Sequence, residues 1–276
     1  MTASSVEPPP DSSPLLRPKH HDEPSVFQVE ALLREARRQW DLPDGTVPAV
    51  CLLDPDGDVV RHLRSVGAAR RCESWACYHS ELWVTEVDGV TLGVVPCAVG
   101  GPYAVLVASE LRASGAELIV SVTSAGQIST LGAPPYFVLI EAAWRDEGTS
   151  HHYLPPSEWA ELAPALAGRL RGALDDLDEP VHVGRSWTTD APFRETESAI
   201  ATAAAAGVDA VEMEAAGLYA FAQATQTAVV CVAHVTNAMA TAGDDFEKGP
   251  DAGTHRILAL VQAIASAVSG GADPSL

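Results

Sequence analysis

Two carboxylates one residue apart stand in Val211-Glu212-Met213-Glu214-Ala215-Ala216, between a short apolar run and a helical stretch. A carboxylate at that junction is stabilised by the positive end of the helix. It can accept hydrogen bonds from hydroxyl groups and face developing positive charge, or simply cap the helix. A second group, Ser121-Val122-Thr123-Ser124-Ala125-Gly126, puts small residues directly after an apolar strand. Backbone and hydroxyl donors at such a turn can cradle an anion or a sugar, although small residues also make ordinary turns. Gly100-Gly101-Pro102 is a third turn that opens a helix. His151-His152 follow Gly148-Thr149-Ser150. Adjacent histidines point in different directions and no third ligand lies at helical spacing, so no metal is expected, nor any cofactor.

These residues need a scaffold. Val29–Arg38 has helical period with i,i+4 charge pairs. Ala49–Leu53 reads as a buried strand. Leu82–Val87 and Val90–Val95 read as a hairpin joined at Asp88-Gly89. Strands are predicted at Glu117–Val122, Tyr136–Ala142, Val181–Gly184, Ala210–Val211 and Ala228–Val235. Helices are predicted at Tyr103–Ser114, Trp159–Leu174, Glu195–Ala206, Glu214–Thr225 and Thr254–Val268. This alternation is that of an α/β fold with a mixed or mostly parallel sheet, whose ligands bind beyond the carboxyl ends of strands. We expect one domain over residues 26–268, a disordered or extended segment over 1–25 and a flexible tail over 269–276.

Composition narrows the partners. The chain of 276 residues carries 37 acids against 17 bases, a formal net charge of −20. That charge opposes nonspecific binding to nucleic acid or to a membrane surface, and a small anionic substrate would need a local basic pocket. No apolar run reaches the roughly 18–20 residues that span a bilayer. Met1–Pro18 lacks the apolar region of a signal peptide, so a cytoplasmic location is expected. The five cysteines, Cys51, Cys72, Cys77, Cys97 and Cys231, have no zinc spacing and read as buried, reduced thiols.

In their order and spacing, Gly100-Gly101-Pro102, Thr123-Ser124-Ala125-Gly126, Gly148-Thr149-Ser150, Thr189-Asp190 and Val211–Ala216 resemble the hexameric nucleoside phosphorylase family. That family includes uridine phosphorylase, purine nucleoside phosphorylase and the methylthioadenosine nucleosidases. The resemblance runs from about Pro48 to Val268. It implies a single-domain α/β fold around a mixed sheet flanked by helices, a nucleoside as small-molecule partner, and a homodimer or trimer of dimers. It implies that Glu214 accepts hydrogen bonds from the ribose 2′ and 3′ hydroxyls, that Met213 packs under the sugar and that Glu212 helps to hold it. Ser124 and Gly126 would belong to the turn that cradles sugar or anion. Phe193 stands near the position of an aromatic ring stacked on the base, although Pro192 aligns equally well. Arg194 or Glu195 would read a base edge. His20 or His21 would reach a neighbour's 5′-hydroxyl.

The chain departs from the family where phosphorylases bind phosphate. An ungapped count along Leu53-Asp54-Pro55-Asp56-Gly57-Asp58 puts Asp58 in the place of an arginine, and Ser121 stands in the place of a second. A unit-charge pair at about 4 Å is worth roughly 4 kcal/mol at an effective dielectric of 20, and replacing arginine by aspartate reverses its sign. The nucleosidases carry a glutamate near this place, so Asp58 is expected to activate water as a general base. Hydrolysis is therefore expected over phosphorolysis, which would need Arg61 or Arg64 to compensate. Asn237 replaces the aspartate that protonates purines; it can hydrogen-bond to a pyrimidine or a 6-oxopurine, with Asp190 as an alternative acid. Asp244-Asp245-Phe246-Glu247 falls at the family's flap. A non-catalytic nucleoside-binding or storage relative and an enzyme acting on a modified nucleoside are the remaining readings.

Overall fold

The computed structural model describes residues 13–17, 19–236 and 250–270. The first helix, α1 (Val29–Trp40), buries Leu33 and Ala36 and exposes its charged face. The run after Pro48 forms β1 (Val50–Asp54), which is buried from Cys51 on. A tight turn leads into α2 (Asp58–Ser65), with Gly57 in the left-handed region at φ 71°. The Asp54 carboxylate accepts from the amide of Val60 and its carbonyl from Gly57 and Cys97, which ties this turn to the strand end. Then come β2 (Arg70–Arg71) and the hairpin of β3 (Trp83–Val87) with β4 (Val90–Pro96). Asp88 and Gly89 at the hairpin tip both have positive φ, as a primed turn requires.

Helix α3 (Gly101–Ala113) is followed by β5 (Leu118–Ser124), β6 (Gly126–Gln127) and β7 (Tyr136–Asp146). Next are β8 (Trp159–Glu161) and α4 (Pro164–Leu170). The long helix expected over 159–174 is thus divided. Pro164 lacks the amide a helix interior needs and starts α4 instead, while Trp159–Glu161 pair antiparallel with β7. The chain continues through β9 (Val181–Thr189), α5 (Glu197–Ala205), β10 (Ala210–Glu212) and α6 (Ala215–Thr225). It closes with β11 (Ala228–Val235) and α7 (Thr254–Ser269).

The sheet is mixed, in the order β2-β3-β4-β1-β5-β11-β7-β9-β10-β6, with β8 on β7. Neighbours β4, β1, β5 and β11 are parallel, as are β7, β9 and β10, and β11 meets β7 antiparallel. Only Ala125 separates β5 from β6, yet β6 pairs antiparallel with β10 at the far end of the order. The chain therefore bends sharply at Ala125, and the sheet curls until Thr123–Gly126 meet the end of β10. Helix α6 is buried from Ala215 to Ala222. A Cβ at Gly217 would lie 3.4 Å from the Gly101 Cα, so the glycine lets α6 and α3 cross closely and brings their N-terminal turns together. Four cysteines are buried; Cys97, with φ 60°, is exposed because the chain turns outward after β4. No helix among the described residues is long and apolar enough to cross a membrane.

Candidate active site

The carboxylate of Glu212 is buried and fully used by the protein. Its Oε1 accepts from the hydroxyls of Ser186, at 2.9 Å, and of Thr188. Its Oε2 accepts from the amides of Glu214, at 2.6 Å, and Ala215, at 2.7 Å. Thr188 in turn accepts from the amide of Ala216 at 3.0 Å. Glu212 therefore closes the orphan amides at the start of α6 and locks that helix to β9. Its acceptor directions serve β9 and the start of α6, and it lines the cavity beside Glu214, where the sequence reading has it help to hold a sugar.

Glu214 is equally buried but differently served. Its Oε1 accepts from the amide of Gly100 at 2.7 Å. Its Oε2 makes no hydrogen bond of good geometry among the described residues, although the Thr123 hydroxyl lies near enough to oppose the rise of this carboxyl. Burial, then the charge of Glu212, pushes the Glu214 carboxyl up to about 8. Burial also raises Glu212, whose four donors oppose the shift. Of the two, Glu212 is the better place for the negative charge and Glu214 for the proton.

Glu214 lines a cavity of about 190 Å³, space for a small molecule rather than a polymer. The bend at Ala125 supplies Thr123, Ser124 and Gly126; the start of α6 supplies Met213; Thr236 follows β11. Four acids line it, Asp56, Glu195, Glu212 and Glu214, and no Lys, Arg or His does among the described residues. Asp56 reaches across to the bend, where its Oδ2 accepts from the Ser124 hydroxyl at 2.8 Å and amide at 3.1 Å. Burial raises the Glu195 carboxyl. A space of this kind attracts hydroxyl donors and positive charge and opposes a phosphate dianion.

Of the residues singled out in the sequence, Ser124, Gly126, Met213, Glu212 and Glu214 are brought together here. Asp58 is not. The Pro55-Asp56-Gly57 turn presents Asp56 to the cavity, and Asp58 becomes the first residue of α2, paired with Arg61. Arg61 is thereby engaged, Arg64 lies over the Trp83 ring, and neither lines the cavity. Phe193 and Arg194 sit on a 3-10 turn that points Pro192 and Glu195 inward; Phe193 is 100% exposed. His21 rests in a separate cleft beside Tyr153, with Nε2 3.3 Å from the His151 carbonyl. Asp190 accepts from the Gly148 amide and stays outside the cavity. Thr149 packs behind the site against Gly101 and Gly217. Asn237 and Asp244–Glu247 lie outside the described residues. The count along the sequence overlooked Asp56; its signal was the Asp-Pro-Asp-Gly turn itself.

Residues 50–268 match the family model described as the phosphorylase superfamily. The chain is 29% identical over 136 residues to a guanosine phosphorylase of Halorubrum lacusprofundi, covering 49% of this chain and 56% of that one. It is 32% identical over 136 residues to a DeoD-type purine nucleoside phosphorylase of Myxococcus xanthus, covering 49% and 57%. It thus spans less than two thirds of the length of these curated relatives. Among solved structures, an AMP nucleosidase of Bacteroides thetaiotaomicron aligns over 88% of this chain and 98% of its own, with a TM-score of 0.66 at 17% identity, a likeness of fold. With the model matched from the first strand to the last helix, this chain belongs to the phosphorylase superfamily.

Proposed function

We propose that this protein hydrolyses the N-glycosidic bond of a nucleoside to free base and ribose. The observation that carries this reading is the cavity wall: four carboxylates, one with a buried oxygen that makes no hydrogen bond of good geometry, and no cation among the described residues. In this reading Glu214 Oε2 accepts from the ribose 2′ and 3′ hydroxyls, and Met213 packs under the ring. Ser124 and Gly126 border the sugar. Cleavage builds positive charge on the sugar, and the desolvated Glu212–Glu214 pair, with its negative charge on Glu212, stabilises it more than water would. Asp56 takes a proton from the attacking water, whose oxygen bonds to C1′ as the bond to the base nitrogen breaks. The base leaves with the bonding electrons and gains a proton from solvent, to which Asp56 returns the one it took. Glu195, whose carboxyl burial raises, reads the base edge together with Asn237, which favours a pyrimidine or 6-oxopurine. His21 would serve the site of a neighbour in a homodimer or trimer of dimers.

The test is base release from uridine, thymidine, inosine, guanosine, adenosine and methylthioadenosine, with and without phosphate, read by chromatography. Release of base and free ribose without phosphate supports hydrolysis. Release only with phosphate, giving ribose 1-phosphate, overturns it in favour of phosphorolysis. No release under either condition overturns it for these nucleosides, in favour of a modified substrate or a binding or storage role.

A further inference from the structure

A second chemistry-bearing cluster lies away from the cavity. Among the described residues, His62, Asp251 and His255 bring three metal-type donor atoms within 4.8 Å of one another, and none of them lines the cavity. His62 is in the last turn of α2. Asp251 is in the 3-10 turn Pro250–Gly253 before α7, and His255 is in the first turn of α7. Asp251 and His255 are four residues apart, and their side chains are in contact. The Asp251 carboxylate also accepts from the His255 amide at 3.2 Å, so capping of α7 explains that pair. It does not explain the second imidazole. The His62 ring comes from another helix, stands 5.5 Å from the His255 ring at 69°, and makes no hydrogen bond among the described residues.

We propose that His62, Asp251 and His255 form a binding site for a divalent transition-metal ion of the zinc type, independent of the reading given to the cavity. Two imidazoles and one carboxylate suit zinc and its neighbours, whereas calcium and magnesium take oxygen ligands throughout. Bonds of roughly 2.0–2.2 Å place tetrahedral donors about 3.3–3.6 Å apart. The donors, within 4.8 Å of one another, close to this spacing by side-chain movement, and the His255 side chain is 78% exposed. The nearby arginines do not oppose the ion. Arg61 is paired with Asp58, and Arg64 is held over Trp83. The net charge of −20 draws cations to the surface. Three protein ligands leave a fourth position to water. The ion would pin the start of α7 to the end of α2.

The experiment is calorimetric titration of the chelator-treated full-length protein with zinc chloride, with thermal unfolding followed in parallel. Cobalt(II) then serves as a probe whose visible absorption reports imidazole ligation. The pairs His20-His21 and His151-His152 are other zinc-seeking candidates, so H20A/H21A and H151A/H152A are the controls. One zinc per chain, kept in both controls and weakened about tenfold or more in H255A and in the conservative H62N, is the expected result. Zinc should also raise the Tm of the wild type and leave that of H255A unchanged. Because His255 is on the surface, loss of fold does not confound that variant. Equal zinc affinity in the wild type, H62N and H255A overturns the proposal, as does the absence of zinc binding in the folded wild type.

Discussion

The amide of Gly100 donates to Glu214 Oε1 at 2.7 Å, joining two helix starts 114 residues apart. This bond fixes the carboxyl plane and leaves Oε2 as the buried acceptor still without a hydrogen bond of good geometry. Burying such an atom costs about 1–3 kcal/mol unless something binds it. A ribose bearing two adjacent hydroxyls is a donor pair of the right kind.

Glu214→Gln therefore separates catalysis from folding. It keeps the shape and the acceptor for Gly100 but replaces the Oε2 acceptor by an NH2 donor, which opposes the ribose hydroxyls. We expect the fold to survive and turnover to fall about a hundredfold or more, the scale of losing one electrostatic stabiliser. Single-turnover base release on the best nucleoside of the panel checks this; unchanged turnover would remove Glu214 from the reaction.

The same residue gives stability a pH dependence. The Glu214 carboxyl lies near 8 in the folded chain, against an ordinary value of 4.5. Between those values the folded state holds a proton that the unfolded state releases, so stability is full below the lower value and is lost as pH rises toward the upper. Glu212, raised by burial, acts in the same direction. Denaturant unfolding of wild type and Glu214→Gln should show the wild type losing stability relative to the variant as pH rises from about 5 to about 8. Parallel pH profiles would contradict this assignment of the proton.

Glu212→Gln should behave in the opposite manner, as a folding defect. Its carbonyl oxygen can still accept from the backbone amides of Glu214 and Ala215, but its NH2 then faces the Ser186 and Thr188 hydroxyls, which lose the oxygen that accepts from them. Leaving one of them unpaired costs about 1–3 kcal/mol. A lower denaturation midpoint with an unchanged m-value is the expected signature.

The two glutamates also show how far the sequence could be read. Strand, carboxylates and helix at 210–225 were legible because hydrophobic pattern and motif agree there. The division of labour between Glu212 and Glu214 was not, since it depends on Ser186, Thr188 and Gly100, which only the fold brings near. The curling of the sheet at Ala125 was also hidden, because one residue between two strands carries no periodic signal. At 193–195 the motif could be counted, but which side chains faced inward depended on the 3-10 turn. At Asp58 the counting failed, because an ungapped register ignores that Gly57 in the left-handed region turns Asp58 into a helix start.

That last correction can be measured directly. Asp56 bridges to Ser124 across the cavity mouth, and Asp58 pairs with Arg61 on α2. Asp56→Asn keeps a hydrogen-bond acceptor for Ser124 but cannot take a proton from water, so turnover should drop about a hundredfold or more. Asp58→Asn removes one favourable charge at the helix N-terminus and an ion pair, with a stability cost within about 1 kcal/mol. Its turnover should stay near that of the wild type. A reversed pattern, with Asp58→Asn inactive and Asp56→Asn unaffected, would return the role of base to Asp58. Equal, small effects in both would leave no carboxylate on this turn to activate water and would weaken the case for hydrolysis itself.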